Sequence, residues 1–373
     1  MNIGFDAKRA FLNQSGLGNY SRALIKSLAD NFPGHHYSLF TTQKGHPDFS
    51  AFTAAQKDIS VILPQKFLDK RITANWRSYV ITELLAKNKI DVYHGLSNEL
   101  PFNIHKFKGR KIVTIHDLIF LRYPKLYSLI DRKIYNRKFR SACELADVII
   151  ATSEQTRRDI MEFYGTDPKK IKVVYQSCDE VFYNSVSTDQ ARKVISKYNL
   201  PPKYLLNVGT IEERKNLLTV LQALTAVKDI LLVVIGKKKT YFKKILKFIR
   251  ANKLEKRVVF LENVSTQELQ ALYKGAEIFI YPSLFEGFGI PIIEALTAGT
   301  PVITTKGGCF PEVGGKNSIY IDPASHEQLA EEIKKLLASA ELRKSIVEKG
   351  LEHSKLFLPE TIASEMIKIY SNT

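Results

Sequence analysis

The sequence predicts an α/β protein with two doubly wound parallel-sheet domains. Short apolar, β-branched segments recur along the whole chain, and helical patterns fill the intervals between them. This alternation is typical of parallel sheets. The segments are nearly continuous in apolar residues, as expected where helices cover both faces of a sheet. A chain of 373 residues is too long for one ordinary core and suits two domains of roughly 180 residues each.

The first half contains seven predicted strands. They lie at 2–5, 37–41, 59–63, 91–94, 112–116, 147–152 and 171–175. After the first strand comes SGLGNYS (15–21), which places Gly16 and Gly18 in a loop before a helical pattern. The segment lacks the third glycine of a dinucleotide fingerprint and stands far beyond its strand. A backbone loop that closes over a ligand therefore fits better than an NAD-type site.

His116 and Asp117 stand where the fifth strand ends. A histidine beside an aspartate at this carboxyl edge can hydrogen-bond a sugar hydroxyl. The alternative is a pair that caps a turn. Both interpretations remain open from the residues alone.

A linker is predicted at 183–202, where the strand rhythm is lost and two prolines stop a preceding helix. The domains are accordingly 1–183 and 200–358. Six strands are predicted in the second half, at 204–209, 230–236, 257–261, 277–282, 301–305 and 318–322. Because open α/β sheets bind ligands beyond the carboxyl ends of their strands, a cleft between the domains is the expected ligand site.

The segment FEGFGIPIIEA places Glu286 in a loop and Glu294 in a helix that runs from Pro291 to about Ala298. Backbone around Gly287 and Gly289 can approach a ligand closely, and a helix N-terminus attracts anions. A carboxylate one turn into the helix suits the diol of a sugar. A nucleotide carries both groups. The alternative is an exposed loop glutamate followed by one that merely complements the helix dipole.

Arg214 and Lys215 follow the first strand of the second half, where a helix begins. Cations are unfavourable at a helix N-terminus, so a bound phosphate would compensate for their placement. The alternative is a pair of exposed surface charges.

The net charge of +17 is concentrated at 101–140 and 236–250. Basic surfaces favour nucleic acid, anionic lipid or phosphorylated substrates, unless they are only solvated helix faces. No helix-turn-helix, zinc or aromatic-platform motif supports nucleic-acid binding. Core packing is expected for Phe242, Ile245, Leu246 and Ile249, with the neighbouring lysines exposed.

The compartment is predicted from the ends and the cysteines of the chain. The N-terminus shows a strand pattern rather than a secretory signal, and no apolar segment is long enough to span a membrane. Cys143, Cys178 and Cys309 lack metal-ligand spacing and suit a reducing compartment. The expected location is cytoplasmic, with possible peripheral contact at the inner face of the plasma membrane.

In this order the segments resemble glycosyltransferase family four, a large family of retaining GT-B glycosyltransferases. FEGFGIPIIEA is similar to the family's Glu-x7-Glu motif, and VGTIEERKNL resembles its phosphate-binding strand and loop. Further similar segments are RVVFLENVSTQELQALYKGAEIFIYPS, PVITTKGGCFPEVGG, IYIDPASHEQLAEEI, SGLGNYSRAL, DVYHGL, TIHDL and DVIIATSEQTRRDI. The resemblance implies two Rossmann-like domains facing each other across a cleft, with nucleotide sugar on the second. It also implies a C-terminal helix at 359–373 that packs back on the first domain.

The resemblance implies a role for each matched residue. Glu286 would lie near the donor sugar, Glu294 would hold the ribose hydroxyls, and Arg214 with Lys215 would neutralise the diphosphate. His116 would contact the donor sugar near the reacting carbon. The other implied donor-binding positions are Gly16, Gly18, Asp117, Thr210, Val264, Gly287, Phe288, Gly289 and Ile290. Thr210 departs from the pattern, because many relatives carry arginine there.

The implied activity is transfer of a hexose from a nucleoside-diphosphate sugar to a glycan or lipid-linked acceptor, with retention. No Asp-x-Asp sequence occurs, so we expect that no metal and no other cofactor is needed. Similarity of the first half to bacterial mannosyltransferases suggests GDP-mannose and polysaccharide or glycolipid synthesis. The alternatives are a UDP-sugar-dependent transferase, a glycogen-synthase-like elongase, a phosphorylase and a non-catalytic two-domain sugar-binding protein.

Overall fold

The structure is a computed structural model that describes residues 1–14, 16–66 and 71–371. Two predicted segments extend beyond these residues. Ser15 opens the glycine-containing segment, and residues 372 and 373 end the expected C-terminal helix; all three lie outside the described residues. The chain forms two compact units, one of residues 1–177 with 357–373 and one of residues 178–356.

The first unit is built on a seven-stranded sheet in the order β3-β2-β1-β4-β5-β6-β7. Every neighbouring pair is parallel. The strands are β1 (Asn2–Asp6), β2 (His36–Phe40), β3 (Ile59–Ile62), β4 (Val92–Gly95), β5 (Arg110–Ile115), β6 (Val148–Ala151) and β7 (Ile171–Val173). Separate clusters of buried side chains, one around Leu24 and Leu28 and the other around Trp76 and Phe120, cover the sheet.

The second unit is built on a six-stranded sheet in the order β10-β9-β8-β11-β12-β13, again parallel throughout. The strands are β8 (Tyr204–Val208), β9 (Leu231–Ile235), β10 (Val258–Leu261), β11 (Ile278–Tyr281), β12 (Val302–Thr305) and β13 (Ile319–Ile321). All thirteen predicted strands are present, and the predicted class of two parallel-sheet α/β domains is confirmed.

Helices fill the intervals between strands in both units. In the first unit they span Lys8–Leu12, Gly16–Asn31, Pro47–Ala55, Thr73–Asn75, Ile81–Lys87, Ile119–Arg122, Leu129–Leu145, Glu154–Tyr164 and Pro359–Ser371, with a π-helical turn at Trp76–Val80. In the second they span Thr188–Lys197, Leu217–Ala226, Phe242–Ala251, Thr266–Gly275, Ile290–Thr297, Phe310–Gly314, His326–Ala338 and Ala340–Ser354. Among the described residues, no helix is both long and apolar enough to cross a membrane.

The helix Pro359–Ser371 packs in the core of the first unit, although residues 178–356, which precede it in sequence, belong to the second unit. Ile362, Ala363 and Met366 are buried among side chains of the helix Gly16–Asn31 and the first strands. The Ser27 hydroxyl donates to the Pro359 carbonyl at 2.7 Å.

The position of Gly16 and Gly18 corrects one prediction. Both lie in the first turn of the helix Gly16–Asn31 and not in a loop before it. The physical reason is close packing at Gly18, where a Cβ would stand 1.9 Å from the Asn13 carbonyl oxygen. A side chain at this position would force the preceding segment away from the helix.

Candidate functional site

Two loops of the second unit meet at the centre of its sheet. The strand order places β8 beside β11. After β8 the chain continues to β9 on one side of the pair, and after β11 it continues to β12 on the other side. Such a reversal of strand order opens a crevice at the carboxyl ends, where doubly wound sheets bind their ligands. Arg214 and Lys215 follow β8, and Glu286 follows β11. The sequence-predicted cations and the first predicted glutamate therefore lie at one point.

Asn216 joins the two loops. Its backbone is left-handed, with a φ of 57°, a conformation that asparagine tolerates better than most residues. Its side-chain amide donates to the carbonyls of Pro282 at 3.2 Å and Pro323 at 2.8 Å. The Leu284 N–H also donates to the Arg214 carbonyl at 2.9 Å. Side chains from the two loops consequently face each other at fixed positions.

The Glu286 carboxylate lies between both cations. Its Oε1 accepts from the Lys215 ammonium at 2.6 Å and from the Tyr281 hydroxyl at 3.1 Å. Its Oε2 lies 2.6 Å from an Arg214 nitrogen. Arg214 also pairs with Glu212 at 2.9 Å. A buried carboxylate with two cationic partners is fully ionised at neutral pH.

The pKa values agree with this assignment. Burial alone would raise the pKa of Glu286, but Lys215 and Arg214 lower it to about 2. Burial lowers the pKa of Lys215, and the negative charge of Glu286 opposes that effect. We assign the charged form to both partners because their nitrogen and oxygen are 2.6 Å apart. Only 8% of Glu286 is exposed, which excludes the alternative of an exposed loop glutamate.

Glu294 has a different environment eight residues later. It lies in the helix Ile290–Thr297, as predicted, and is also 8% exposed. Its carboxylate accepts a hydrogen bond at Oε2 from the Tyr273 hydroxyl, at 2.9 Å. Burial raises the pKa of Glu294 to about 7, although the Tyr273 hydrogen bond opposes this. The group is thus a buried acceptor that changes its charge near neutral pH.

The loop that contains Gly287 and Gly289 leads into this helix. Gly289 is its N-cap residue, with a φ of 123° and no side-chain cap. Gly287 and Phe288 are buried, and Ile290 is half-buried. The Cys309 thiol contacts the carbonyls of Glu286 at 3.3 Å and Phe288 at 2.7 Å. Burial raises the pKa of Cys309 well above its ordinary value, so the thiol stays protonated and donates.

Thr210 and Val264 lie at the same edge of the sheet, in different loops. Thr210 follows Gly209 at the end of β8, and Val264 lies between β10 and the helix Thr266–Gly275. Both are half-buried.

His116 is buried in the first unit with both ring nitrogens in hydrogen bonds. Nε2 lies 2.8 Å from the Leu96 carbonyl oxygen and therefore carries the proton, and Nδ1 accepts from the Gln176 amide at 3.3 Å. The Tyr20 ring packs edge-on against it, with the ring centroids 4.7 Å apart. Burial lowers the pKa of His116 to about 4, so the ring is neutral at pH 7.

Asp117 makes the contact expected of a turn-capping residue. Its Oδ1 accepts from the Ile119 N–H at 3.1 Å, at the start of the helix Ile119–Arg122. The structure therefore supports the capping alternative for Asp117. Gly16, Gly18, His116 and Asp117 all belong to the first unit.

Sequence reasoning missed four residues that shape the second-unit site. They are Asn216, Tyr273, Tyr281 and Cys309. A left-handed asparagine between a basic pair and a helix is a recognisable signal for Asn216. Tyr273 and Tyr281 lie among apolar residues, and Cys309 lies after two glycines without a partner cysteine or histidine nearby in sequence, so none of the three gave such a signal. Among the described residues, no group of three or more His, Cys, Asp or Glu side chains is arranged to hold a metal ion.

Family models match both halves of the chain. The model described as Glycosyltransferase Family 4 matches residues 14–181, and the one described as Glycosyl transferases group 1 matches residues 188–353. The chain is 28% identical over 380 residues to O-antigen chain mannosyltransferase B from Escherichia coli, covering 95% of this chain and 96% of that one.

Solved structures share the whole fold. The structure of HepE from Anabaena in complex with UDP and glucose superposes with a TM-score of 0.79 at 18% identity, covering 100% of both chains. WaaG, a glycosyltransferase involved in lipopolysaccharide biosynthesis, has a TM-score of 0.73 at 19% identity, with the same coverage. At these identities the likeness concerns the fold alone.

Proposed function

Because the chain belongs to glycosyltransferase family four, we propose that it transfers a hexose from a nucleoside-diphosphate sugar to an acceptor hydroxyl with retention of configuration. The observation that carries the proposal is the convergence of Arg214, Lys215 and Glu286 where the strand order reverses. Two partly buried cations at that point suit a diphosphate. A nearby buried carboxylate, Glu294, suits a ribose diol.

The leaving diphosphate defines the catalytic problem. Negative charge grows on it as the glycosidic bond breaks, so cations that are already in place stabilise the transition state more than the ground state. Arg214 and Lys215 supply those charges together with the helix end at Gly289. We propose that they take the place of a divalent metal and that no cofactor is required.

Glu286 gives up part of its pairing in this scheme. Its carboxylate pairs with both Arg214 and Lys215, and an arriving diphosphate would compete for these cations. We propose that Glu286 then accepts hydrogen bonds from the donor sugar, since a carboxylate freed from one cation is a strong acceptor for hydroxyls.

The remaining contacts follow the implied family pattern. Backbone at Thr210, Val264 and the loop at 287–290 is proposed to contact the nucleotide, and Glu294 the ribose. In the first unit, Gly16, Gly18, His116 and Asp117 are proposed as donor contacts. As a neutral ring, His116 would act through hydrogen bonds rather than through charge.

For the donor we propose GDP-mannose, because the Escherichia coli relative is a mannosyltransferase. A UDP-sugar is the second candidate, since the HepE structure contains UDP and glucose. The proposed acceptor is a glycan or lipid-linked sugar in polysaccharide or glycolipid biosynthesis. Peripheral contact with an anionic membrane is proposed from the basic charge of the first unit.

A thermal-shift panel tests the proposal. The protein is heated with GDP, UDP, ADP, CDP or dTDP, each with EDTA or with Mg²⁺. A nucleotide that binds only the native state raises its melting temperature by mass action. We expect one nucleotide to stand out without metal and Lys215→Ala to abolish its effect. Lys239→Ala is the matched control, because Lys239 is an exposed cation that pairs with Glu212 at 2.6 Å.

Product analysis completes the test. Incubating the matching nucleotide sugar with candidate acceptors should yield a single added hexose with the anomeric configuration of the donor. A ladder of products would identify an elongase instead. A strict requirement for Mg²⁺, or no stabilisation by any nucleotide, would contradict the proposal.

A further inference from the structure

Glu212 places a carboxylate at the edge of the cationic site of the second unit. It follows β8 and is the N-cap residue of the 3-10 helix Glu213–Lys215, which carries both cations. Its Oε1 accepts from Arg214 at 2.9 Å, and its Oε2 accepts from Lys239 at 2.6 Å. A carboxylate repels a nearby diphosphate, so net charge gives no reason for an acid at this point. The contact with Arg214 indicates instead a role in orienting that side chain.

The Glu212 carboxylate is ionised and partly enclosed. Its side chain is 24% exposed, and that of Arg214 is 15% exposed. Burial alone would raise the pKa of Glu212, but Lys239 and Arg214 lower it below its ordinary value. Because each oxygen accepts from a different cation, removing Lys239 would leave the hydrogen bond between Glu212 and Arg214 in place.

Arg214 contacts three oxygen acceptors among the described residues. Nη1 donates to the Phe285 carbonyl at 2.6 Å and lies 2.6 Å from Glu286 Oε2, and Nη2 donates to Glu212. Under the proposed function, an arriving diphosphate competes with Glu286 for this guanidinium. Glu212 and the Phe285 carbonyl are then the acceptors that still hold it.

Orientation matters for an arginine that stabilises a leaving group. Its long side chain has many rotamers, and ordering it during the reaction costs conformational entropy. A charged group that is already fixed stabilises developing negative charge without that cost. Glu212 lies two residues before Arg214 on the same loop, so it can hold the guanidinium independently of the loop that contains Glu286.

We infer that Glu212 is a positioning residue for the transfer reaction. It keeps the Arg214 guanidinium in place for the leaving diphosphate when Glu286 no longer pairs with it. This inference rests on the proposed function. Glu212 acts on the reaction through Arg214 and not by contact with the substrate. Removing Glu212 should therefore slow the reaction, but it should cause no further loss once Arg214 is gone.

Glu277 provides a matched carboxylate outside the site. It directly precedes β11, at the edge of the sheet opposite to the cations. It pairs with Arg343 at 3.1 Å, and the two side chains are 18% and 19% exposed. The distance and the exposure are close to those of Glu212 and Arg214. Glu277→Ala therefore removes the same charge from a comparable ion pair.

A double-mutant cycle tests the inference. It compares the wild-type protein with Glu212→Ala, Arg214→Met and the double variant, with Glu277→Ala and Lys239→Ala as controls. Glu212→Gln is added because its amide oxygen can still accept from Arg214. Melting temperatures establish that each variant is folded.

Each protein is measured in two ways. The first is the dissociation constant, by calorimetry, of the nucleoside diphosphate that stabilises the wild-type protein in the thermal-shift panel of GDP, UDP, ADP, CDP and dTDP. This ligand carries the charge that the leaving group gains in the transition state, and its binding requires no acceptor. The second is kcat and KM for the nucleotide sugar of the same base, with GDP-mannose tested first.

We expect Glu212→Ala to lower kcat about tenfold and to raise the dissociation constant of the diphosphate by a similar factor, while KM changes less than about threefold. Glu212→Gln should recover part of the loss. In the Arg214→Met background, Glu212→Ala should cause no further loss, because the residue that it positions is absent. Both controls should stay within about threefold of wild type, since the hydrogen bond between Glu212 and Arg214 is intact in them.

The direction of the effect on binding separates positioning from charge. Loss of a nearby negative charge would by itself tighten the binding of a diphosphate, whereas loss of positioning weakens it. Unchanged or tighter diphosphate binding by both Glu212 variants would therefore overturn the inference.

Two further results would overturn it. One is a loss that is just as large in the Arg214→Met background, which would mean that Glu212 acts independently of Arg214. The other is failure of the wild-type protein to bind any nucleotide of the panel, which would contradict the proposed function and the inference with it. Normal binding by the wild-type protein distinguishes failure of the inference from failure of the proposed function.

Discussion

Glu286 and Glu294 lie eight residues apart on one loop and helix, and each is 8% exposed. Their pKa values are nevertheless shifted in opposite directions, down to about 2 for Glu286 and up to about 7 for Glu294. Burial acts in the same direction on both. The difference comes from their partners, since Glu286 faces two cations and Glu294 faces a tyrosine hydroxyl. One carboxylate is therefore fixed in charge, and the other can change its charge near neutral pH.

Removing a cation should have the largest effect and make Glu286 resemble Glu294. We expect Lys215→Met to lower the rate of sugar transfer about 10²- to 10³-fold, the loss typical of one preorganised charge-stabilising group. The pKa of Glu286 should rise at the same time. Steady-state kinetics and carboxyl NMR titration measure the two effects. Lys239→Met serves as the control, and equal losses in both variants would contradict this role for Lys215.

Glu286→Gln tests the fixed charge directly. This change leaves Arg214 and Lys215 without the carboxylate that pairs with both. Breaking a buried ion pair on one side typically costs about 3–5 kcal/mol, and deprotonation of Lys215 would relieve part of that cost. We expect unfolding in urea at pH 7 to show a loss of about 2–4 kcal/mol. An unchanged midpoint and slope would show that the pairing contributes nothing to stability.

The substitution Glu294→Gln should raise the free energy of unfolding, whereas Glu286→Gln should lower it. The pKa of Glu294 is raised in the folded state to about 7. The free energy of unfolding of the wild-type protein therefore falls as the pH rises from the ordinary pKa of a glutamate towards 7. Glutamine mimics the protonated form and avoids that loss. The variant should be more stable than wild type at pH 8 by up to about 3 kcal/mol, with the gain disappearing near pH 5. Thermal unfolding at both pH values measures it, and destabilisation at pH 8 would refute the raised pKa.

The smallest expected effect is that of pH on the affinity for the nucleotide. Protonation of Glu294 replaces a charge-assisted hydrogen bond to the ribose with a weaker neutral one. The dissociation constant of the matching nucleoside diphosphate should therefore rise about three- to tenfold between pH 8 and pH 6. Calorimetric titration measures the change, and Glu294→Gln should remove the pH dependence. A persistent pH effect in that variant would assign it to another group.

The sequence predicted the strands, and the placement of Glu286 in a loop and of Glu294 in a helix, because these signals are local. Apolar runs between helical patterns identified all thirteen strands, and a proline after a glycine pair indicated where the helix containing Glu294 begins. The partners of Glu286 were harder to predict. Arg214 and Lys215 were singled out for phosphate, but their pairing with a carboxylate depends on how two loops meet, which no single segment encodes.

Other differences have the same origin. The backbone of Asn13 leaves no room for a side chain at Gly18, and the thiol of Cys309 contacts a loop more than twenty residues away in sequence. The basic charge at 101–140 was visible in the sequence, but the 72% exposure of the Ile130 side chain was not. Helical spacing shows which residues share a face and does not show which face the rest of the chain covers.

The helix Pro359–Ser371 affects how the protein is made. Residues 178–356 form a unit that is continuous in sequence, whereas the first unit is made of two segments that lie on either side of it. The core of the first unit therefore stays incomplete until Ile362, Ala363 and Met366, which follow the whole second unit in sequence, have been synthesised. Domains commonly fold in order of synthesis. Here the unit whose synthesis begins first needs residues from beyond the other unit to complete its core, so simple folding in order of synthesis does not apply to it.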